Sequence, residues 1–188
     1  MSSRDFRRPP QEKAQLMSAS EIERTLVRLV HEIIGKMEGA GDLVLIGIRR
    51  RGFFLAQRIG RMIERIEKVP VPVGSIDATA YRDDLPPPAK RLAQTIEIGF
   101  AVTGKRVVLV DDILYSGRTA RAALEAVFRH GRPKQVWLCV LIDRGHRELP
   151  IEAAYVGRRV ETTDQERIEL LVGEVDKAEK VLLMEMAV

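Results

Sequence analysis

Cysteine and long apolar runs are scarce in this chain of 188 residues, and each scarcity excludes a class of protein. The single cysteine, Cys139, excludes an internal disulfide and a cysteine-rich metal site. Its place inside the apolar run 136–142 predicts that it packs in a buried strand. No apolar run is long enough to span a bilayer, and the N-terminus lacks the apolar segment of a secretory signal. We therefore expect a cytoplasmic protein.

Two motifs of well-known enzyme classes are also missing. A nucleoside triphosphatase loop needs Gly-Lys followed by Ser or Thr, whereas the Gly-Lys pairs at 35–36 and 104–105 precede methionine and arginine. His31 begins the H-E-x-x-H pattern of zinc proteases, but the position of the second histidine is occupied by Gly35. Both classes are therefore excluded.

The size and charge of the chain leave several classes open. The length fits one domain with a sizeable core, and the formal net charge is +4. This charge suits polyanionic ligands or RNA, and it equally suits a solvated basic surface. Residues 1–17 are rich in arginine and proline and poor in apolar residues, which predicts a flexible basic tail. We expect residues 18–188 to form the folded domain.

The stretch from Val107 to Thr119, VVLVDDILYSGRT, carries the clearest chemical pattern. Its apolar run predicts a buried parallel strand, with Asp111 and Asp112 at the carboxyl end, where α/β sheets bind ligands. The loop that follows offers backbone N–H groups, hydroxyls and the start of a helix, all of which favour an anion. A sugar that carries a phosphate fits both halves of the stretch. The alternative is an ordinary strand–turn–helix unit.

Two other loops have features that suit phosphate groups. The turn GIRRRG, residues 47–52, lies between a predicted strand, 43–48, and a predicted helix, 53–67, and is a second anion site or a plain turn with exposed arginines. A predicted strand over 70–80 runs into YRDDL, residues 81–85, and three prolines, before a return strand at 96–100. This segment is a cationic lid or merely a flexible hairpin.

Helical spacing is clear near the start of the chain. Ser20 and Glu23 match a capping box and predict the start of a helix. Its buried face is predicted to carry Ile22, Leu26, Leu29, Val30, Ile33 and Met37. Arg24, Arg28 and His31 share another face, which suits phosphate contacts or is only the solvated side. Further on, the pattern predicts a helix over 119–130 and strands over 136–142, 153–156, 170–175 and 181–186.

The stretch 107–119 closely resembles the phosphoribosyl-pyrophosphate motif of type I phosphoribosyltransferases. The resemblance implies an α/β fold with a central, mostly parallel sheet, flanking helices and a small hood, formed mainly by residues 150–188. It implies that Asp111 and Asp112 bind the ribose hydroxyls and that Arg82 reaches the pyrophosphate, and we name these three as candidate catalytic residues. The other implied substrate-binding residues are Arg50, Arg51, Ile113, Leu114, Tyr115, Ser116, Gly117, Arg118, Thr119, Arg144, Tyr155 and Val156.

A narrower resemblance is carried by DRGHRELP, residues 143–150, together with YRDDL. Both are similar to bacterial pyrimidine-operon attenuation regulators, a family that also has uracil phosphoribosyltransferase activity. The resemblance implies the conversion of uracil and phosphoribosyl pyrophosphate to UMP and pyrophosphate, with Mg²⁺ carried by the substrate rather than bound directly by protein side chains. It further implies a homodimer or higher homo-oligomer. Alternatives are a phosphoribosyltransferase without an RNA role and one that acts on a purine.

The same resemblance implies that a hairpin in the leader mRNA of the pyrimidine operon binds when UMP or UTP fills the nucleotide site. The implied RNA-binding residues are Arg28, His31, Arg147, Arg158 and Thr162. Two positions depart from the family pattern, with Val27 in place of a hydroxyl residue and Glu152 in place of a basic one. A carboxylate that faces phosphate opposes RNA binding.

Overall fold

The computed structural model describes residues 9–37, 39–83 and 96–186. The helices are α1 (Ala19–Met37), α2 (Arg51–Glu67), α3 (Arg118–His130) and the single turn α4 (Gly173–Asp176), with a 3₁₀ turn at Ala78–Tyr81. The strands are β1 (Gln11–Ser18), β2 (Leu43–Ile48), β3 (Val73–Ile76), β4 (Ile96–Glu97), β5 (Arg106–Leu114), β6 (Gln135–Asp143), β7 (Tyr155–Arg159), β8 (Glu166–Leu171) and β9 (Lys180–Glu185). None of the described helices is long and apolar enough to cross a membrane.

A six-stranded sheet forms the centre, in the order β4-β3-β2-β5-β6-β7. Its strands are parallel except for β4, which pairs antiparallel with β3. Residues 107–110 of the central strand β5 form an apolar run because both faces of the sheet are covered there. Parallel register brings Leu114, Asp143 and Arg159 side by side, so the loops after β5, β6 and β7 meet at one edge. The predicted, mostly parallel sheet is confirmed.

Helices cover both faces of this sheet. The apolar faces of α1 and α2 pack with Leu45, Val108 and Cys139 in one core cluster. On the opposite face, the alanine-rich side of α3 packs with a second cluster that includes Leu109 and Val140. Alternate residues of each strand therefore belong to different clusters. All six residues predicted for the apolar face of α1 are buried.

A separate antiparallel sheet of three strands, in the order β1-β9-β8, forms beside the main sheet. Its first strand, β1, includes residues 11–17, so the prediction of a flexible tail is wrong for that part; residues 1–8 lie outside the described residues. The strand pairs with β9, more than 160 positions further on in sequence (Gln11 with Glu185). Local sequence carries no signal for such a distant partner, because the exposed face of β1 is polar.

The start of α1 also differs from the prediction. The capping box is formed by Ser18 and Glu21, not by Ser20 and Glu23. The backbone N–H of Ser18 donates to the Glu21 carboxylate over 2.8 Å, and the Glu21 N–H donates back to the Ser18 hydroxyl over 3.4 Å. Two serines stand within three residues of a glutamate here, and the pairing of β1 with β9 decides which serine ends the strand.

Candidate active site

A pocket of about 150 Å³ lies where β5 enters α3. It collects Asp111 from the strand, the loop after it, and Arg82 from the far side of the 3₁₀ turn. The pocket thus brings together an acid and a glycine-containing loop, both from the stretch 107–119, and a guanidinium from outside that stretch. Its lining residues are Arg82, Asp111, Ile113, Leu114, Tyr115, Ser116, Gly117, Thr119 and Ala120.

The two acids lie inside the strand rather than beyond its end. β5 continues through Asp111 and Asp112 to Leu114, because Ile113 and Leu114 still pair with β6. Asp111 is only 7% exposed. Burial, followed by the charge of Asp112, raises the pKa of Asp111 well above its usual value, and nearby Arg82 opposes this shift. The carboxylate is costly to ionise here, and a ligand that supplies hydroxyl donors or positive charge offsets that cost.

The loop between β5 and α3 is shaped by Gly117 and held from outside. Gly117 has a φ of +90° and forms the N-cap of α3, where a side chain would also press on Ile151. The backbone N–H groups of Glu148 and Leu149 both donate to the Ser116 carbonyl, over 3.0 and 3.2 Å. The DRGHRELP segment therefore buttresses the loop, a structural role that sequence reasoning missed.

Arginines tie the loop and α3 to the 3₁₀ turn. Arg82 Nη1 donates to the Thr119 hydroxyl over 3.0 Å. Arg118 forms ion pairs with Asp83 at 2.6 Å and Glu148 at 2.7 Å, so its guanidinium is held by two carboxylates. Residues 84–95, which include most of the predicted lid, lie outside the described residues.

Two arginines of the GIRRRG turn, Arg50 and Arg51, lie at the start of α2. Arg50 is exposed at the N-cap of α2, and the Arg49–Arg50 peptide bond is cis. Arg51 is the first residue of α2, and its guanidinium binds Asp176 of α4 in a bidentate pair with distances of 3.1 and 2.9 Å. Asp176, and more weakly Asp112, raise the pKa of Arg51. The helix start lies against β5, because a Cβ on Gly52 would stand 2.5 Å from the Val110 carbonyl oxygen.

Arg144 connects the loop after β5 with the three-stranded sheet. Its guanidinium lies 4.1 Å from the ring centre of Tyr115. Arg144 as a whole residue is 8% exposed. Nη2 donates to the Glu166 carbonyl over 2.8 Å, and Nε donates to the Thr162 hydroxyl over 3.1 Å. Burial lowers the pKa of Arg144.

The structure does not bring Tyr155 or Val156 to the pocket. Tyr155 is 2% exposed and belongs to the core under α1, where Lys36 lies 5.5 Å from its ring centre. Val156 packs in the cluster on the opposite face of the sheet. The β7 register sets both positions, since Tyr155 pairs with Cys139 in the middle of β6. Tyr155 is therefore a core residue in this structure, and its role in substrate binding stays a prediction.

The residues predicted to bind RNA lie in two groups. Arg28 and Arg158 border a cavity of about 350 Å³ between α1 and β7, together with Arg24. Arg28 pairs with Glu32 and donates to the Val156 carbonyl over 3.1 Å. His31 is exposed on the same helix.

The second group surrounds the DRGHRELP segment. Arg147 pairs with Asp143 at 2.6 Å and donates to the carbonyls of Tyr115 and Ile151. The Thr162 carbonyl lies 2.7 Å from His146 Nε2. One of the residues predicted to bind RNA, Arg147, thus contacts the loop after β5 directly.

Residues 14–171 match the phosphoribosyl transferase domain family, and the chain belongs to it. Solved structures agree on the fold. The hypoxanthine-guanine phosphoribosyltransferase of Bacillus anthracis superposes with a TM-score of 0.69 at 22% identity, covering 94% of this chain and 99% of that one. The hypoxanthine phosphoribosyltransferase of Trypanosoma cruzi gives 0.72 at 18% identity, covering 95% and 94%. The predicted type I phosphoribosyltransferase fold is confirmed.

Relatives named bifunctional protein PyrR define the branch of the family. That of Pelotomaculum thermopropionicum is 51% identical over 177 residues, covering 94% of this chain and 98% of the relative. That of Thermus thermophilus is 50% identical over 174 residues, covering 92% and 96%. At this identity over nearly the full length, the chain is a member of the bifunctional PyrR group, and the recognition predicted from DRGHRELP and YRDDL is confirmed.

Proposed function

We propose that this protein regulates a pyrimidine biosynthesis operon by binding its leader mRNA, and that it converts uracil and phosphoribosyl pyrophosphate to UMP and pyrophosphate. Membership of the bifunctional PyrR group supports both activities. The single observation that carries the enzymatic half is the pocket where Asp111, Thr119 and Arg82 meet. Because leader transcripts are made in the cytoplasm, the proposed function implies a cytoplasmic location.

In the reaction, the bond between the anomeric carbon and the pyrophosphate oxygen breaks, and a bond from uracil N1 to that carbon forms. The N1 proton leaves to solvent, since none of the described side chains that line the pocket identifies itself as a general base. Asp111 and Asp112 accept hydrogen bonds from the ribose hydroxyls and stabilise the positive charge that develops on the ring. The loop 115–119 binds the 5′-phosphate with backbone N–H groups and hydroxyls.

Positive charge is needed to stabilise the pyrophosphate leaving group. Arg82 lies within hydrogen-bond distance of Thr119 and neutralises the departing pyrophosphate. Adjacent carboxylates provide the hard oxygen donors that suit Mg²⁺, and the buried, costly charge of Asp111 favours a cation nearby. When bound with the substrate, Mg²⁺ supplies further neutralisation of pyrophosphate. Asp111 and Asp112 are the residues that would face it.

The regulatory half is supported by a basic surface. Arg24, Arg28 and Arg158 border the cavity between α1 and β7. Guanidinium groups placed beside a groove suit the phosphates of a folded RNA loop. We propose that UMP or UTP in the pocket favours RNA binding through the DRGHRELP segment, because Arg147 of that segment contacts the loop that lines the pocket. We also expect the homodimer or higher oligomer of the family, which sedimentation would measure.

Two assays test the halves separately. Radiolabelled uracil, phosphoribosyl pyrophosphate and Mg²⁺ are expected to give labelled UMP, and competition by hypoxanthine or guanine would instead reveal a purine enzyme. A gel shift on the leader transcript is expected to strengthen when UMP is added. Turnover without any shift would leave a phosphoribosyltransferase with no RNA role. The absence of both turnover and the gel shift would overturn the proposal.

A further inference from the structure

The junction between α2 and the turn α4 is built from arginines of the helix and acids of the turn. Arg51 binds Asp176, and Arg58, two helical turns further along, binds Glu174 at 2.7 Å and also pairs with Glu179. Of these two arginines, Arg51 lies at the N-terminal end of α2 and Arg58 lies in its middle. Arg51 belongs to the GIRRRG turn, residues 47–52, and the family resemblance implies that it binds the substrate.

Asp176 is itself held firmly in place. Its Oδ2 accepts the backbone N–H of Val172 over 2.9 Å, and its own N–H donates to the Val172 carbonyl over 2.8 Å. The paired guanidinium lowers the pKa of Asp176, so the carboxylate stays ionised. A fixed, charged acceptor opposite the planar guanidinium leaves Arg51 few alternative orientations.

The guanidinium of Arg51 is also close enough to Asp112 for that acid to raise its pKa. An arginine released from Asp176 has Glu169 at 4.0 Å, and Asp112 is a second acid whose charge acts on it. Pairing with Asp112 would occupy a carboxylate that the proposed mechanism assigns to the ribose. Asp176 therefore fixes the orientation of the Arg51 guanidinium, and Asp112 remains unpaired with Arg51 and can bind the ribose.

We infer that Asp176 is a positioning residue for phosphoribosyl pyrophosphate, which acts by holding Arg51 at the start of α2. This inference rests on the proposed function and names a residue outside the pocket. It makes affinity for the pyrophosphate substrate depend on the turn α4. Uracil, which carries no phosphate, is not affected in the same way.

The test compares Asp176→Asn with Glu174→Gln in the full-length protein. Asparagine keeps the shape and can still accept the Val172 N–H, but it removes the charge that holds Arg51. The glutamine control weakens the neighbouring Arg58 contact of the same turn and leaves the Arg51 pair intact. Binding of phosphoribosyl pyrophosphate is measured by calorimetry with Mg²⁺, and the KM of each substrate by turnover.

We expect Asp176→Asn to raise the Kd and the KM for phosphoribosyl pyrophosphate by about tenfold, the usual effect of losing one charge-assisted pair. The KM for uracil should change by less than about twofold, and Glu174→Gln should leave both constants near wild type. Unchanged or tighter binding by Asp176→Asn, or equal losses for both substrates, would overturn the inference alone. A wild-type protein that does not bind phosphoribosyl pyrophosphate would overturn the proposed function, and the inference with it.

Discussion

Arg147 Nη1 donates a hydrogen bond to the backbone carbonyl of Tyr115 over 2.8 Å, so a residue predicted to bind RNA fastens the loop predicted to bind phosphate. The same guanidinium is paired with Asp143 and bonded to the Ile151 carbonyl. These contacts hold the DRGHRELP segment together. An arginine used in this way cannot be removed without disturbing the loop beneath it.

Substitution at Arg147 should therefore affect both activities. We expect Arg147→Ala to weaken leader RNA binding and to lower kcat/KM by about tenfold, because three carbonyl acceptors and one carboxylate lose their donor. His31→Ala, on the exposed face of α1, should weaken the gel shift and leave turnover unchanged. Loss of the shift with full turnover in Arg147→Ala would show that the loop does not need this support.

The Thr119 hydroxyl accepts a hydrogen bond from Arg82 and belongs to the loop that we propose binds phosphate. Replacement by valine keeps the shape and removes both the acceptor for Arg82 and the donor for phosphate. We expect Thr119→Val to raise the KM for phosphoribosyl pyrophosphate by about tenfold, the cost of one to two hydrogen bonds to charged groups. Thr119→Ser should retain most of the affinity. Steady-state kinetics decides the point, and equal KM values for the valine and serine variants would contradict it.

The Asp111 carboxylate should lower the stability of the folded protein and be needed for activity. Its pKa is raised by burial and by Asp112, so its ionised form costs folding free energy at neutral pH. We expect Asp111→Asn to increase the free energy of unfolding by about 1 kcal/mol without ligand, and to lower kcat by at least about a hundredfold. Urea denaturation and turnover measure the two effects. A less stable, inactive variant would mean that the carboxylate is needed for the fold.

The sign of the pH dependence follows from the raised pKa of Asp111. Between its usual pKa of 3.8 and the higher value in the folded protein, the folded state holds the proton more tightly than the unfolded chain. This residue's contribution to stability therefore falls as pH rises through that range. The stability gap between Asp111→Asn and wild type should shrink as the pH is lowered towards 3.8. A gap that stays constant would show that Asp111 is not the titrating group.

Patterns that depend on neighbouring residues predicted most of the fold. The apolar face of α1, the buried run of β5 and the acid-to-glycine loop were all visible because burial imposes a short period on the sequence. The meeting of Asp111 with Thr119 followed from the same short stretch. Arg82 was expected there only from family resemblance, since its position depends on the path of the 3₁₀ turn.

Features set by distant partners were missed. Nothing in residues 11–18 indicates pairing with β9, and nothing near Tyr155 indicates that its register with Cys139 places the ring under α1. The pairing of Arg51 with Asp176 joins residues 125 positions apart. Such contacts depend on which distant strand or turn each segment meets in the fold, so they have no local signature.

Gly157 lies where β7 leaves no room for a side chain against β6 and α1, so replacing it should lower stability. A Cβ at this position would lie 2.4 Å from the Leu141 carbonyl oxygen and 2.8 Å from Cγ2 of Thr25 in α1. Backbone on one side and a helix on the other leave little room to relax, so we expect Gly157→Ala to lower the free energy of unfolding by about 2–3 kcal/mol. Gly99→Ala is the matched control, since a Cβ there meets nothing within 4 Å, and it should change stability by less than about 0.5 kcal/mol. Equal denaturation midpoints for the two variants would mean that β7 can move away from α1 without cost.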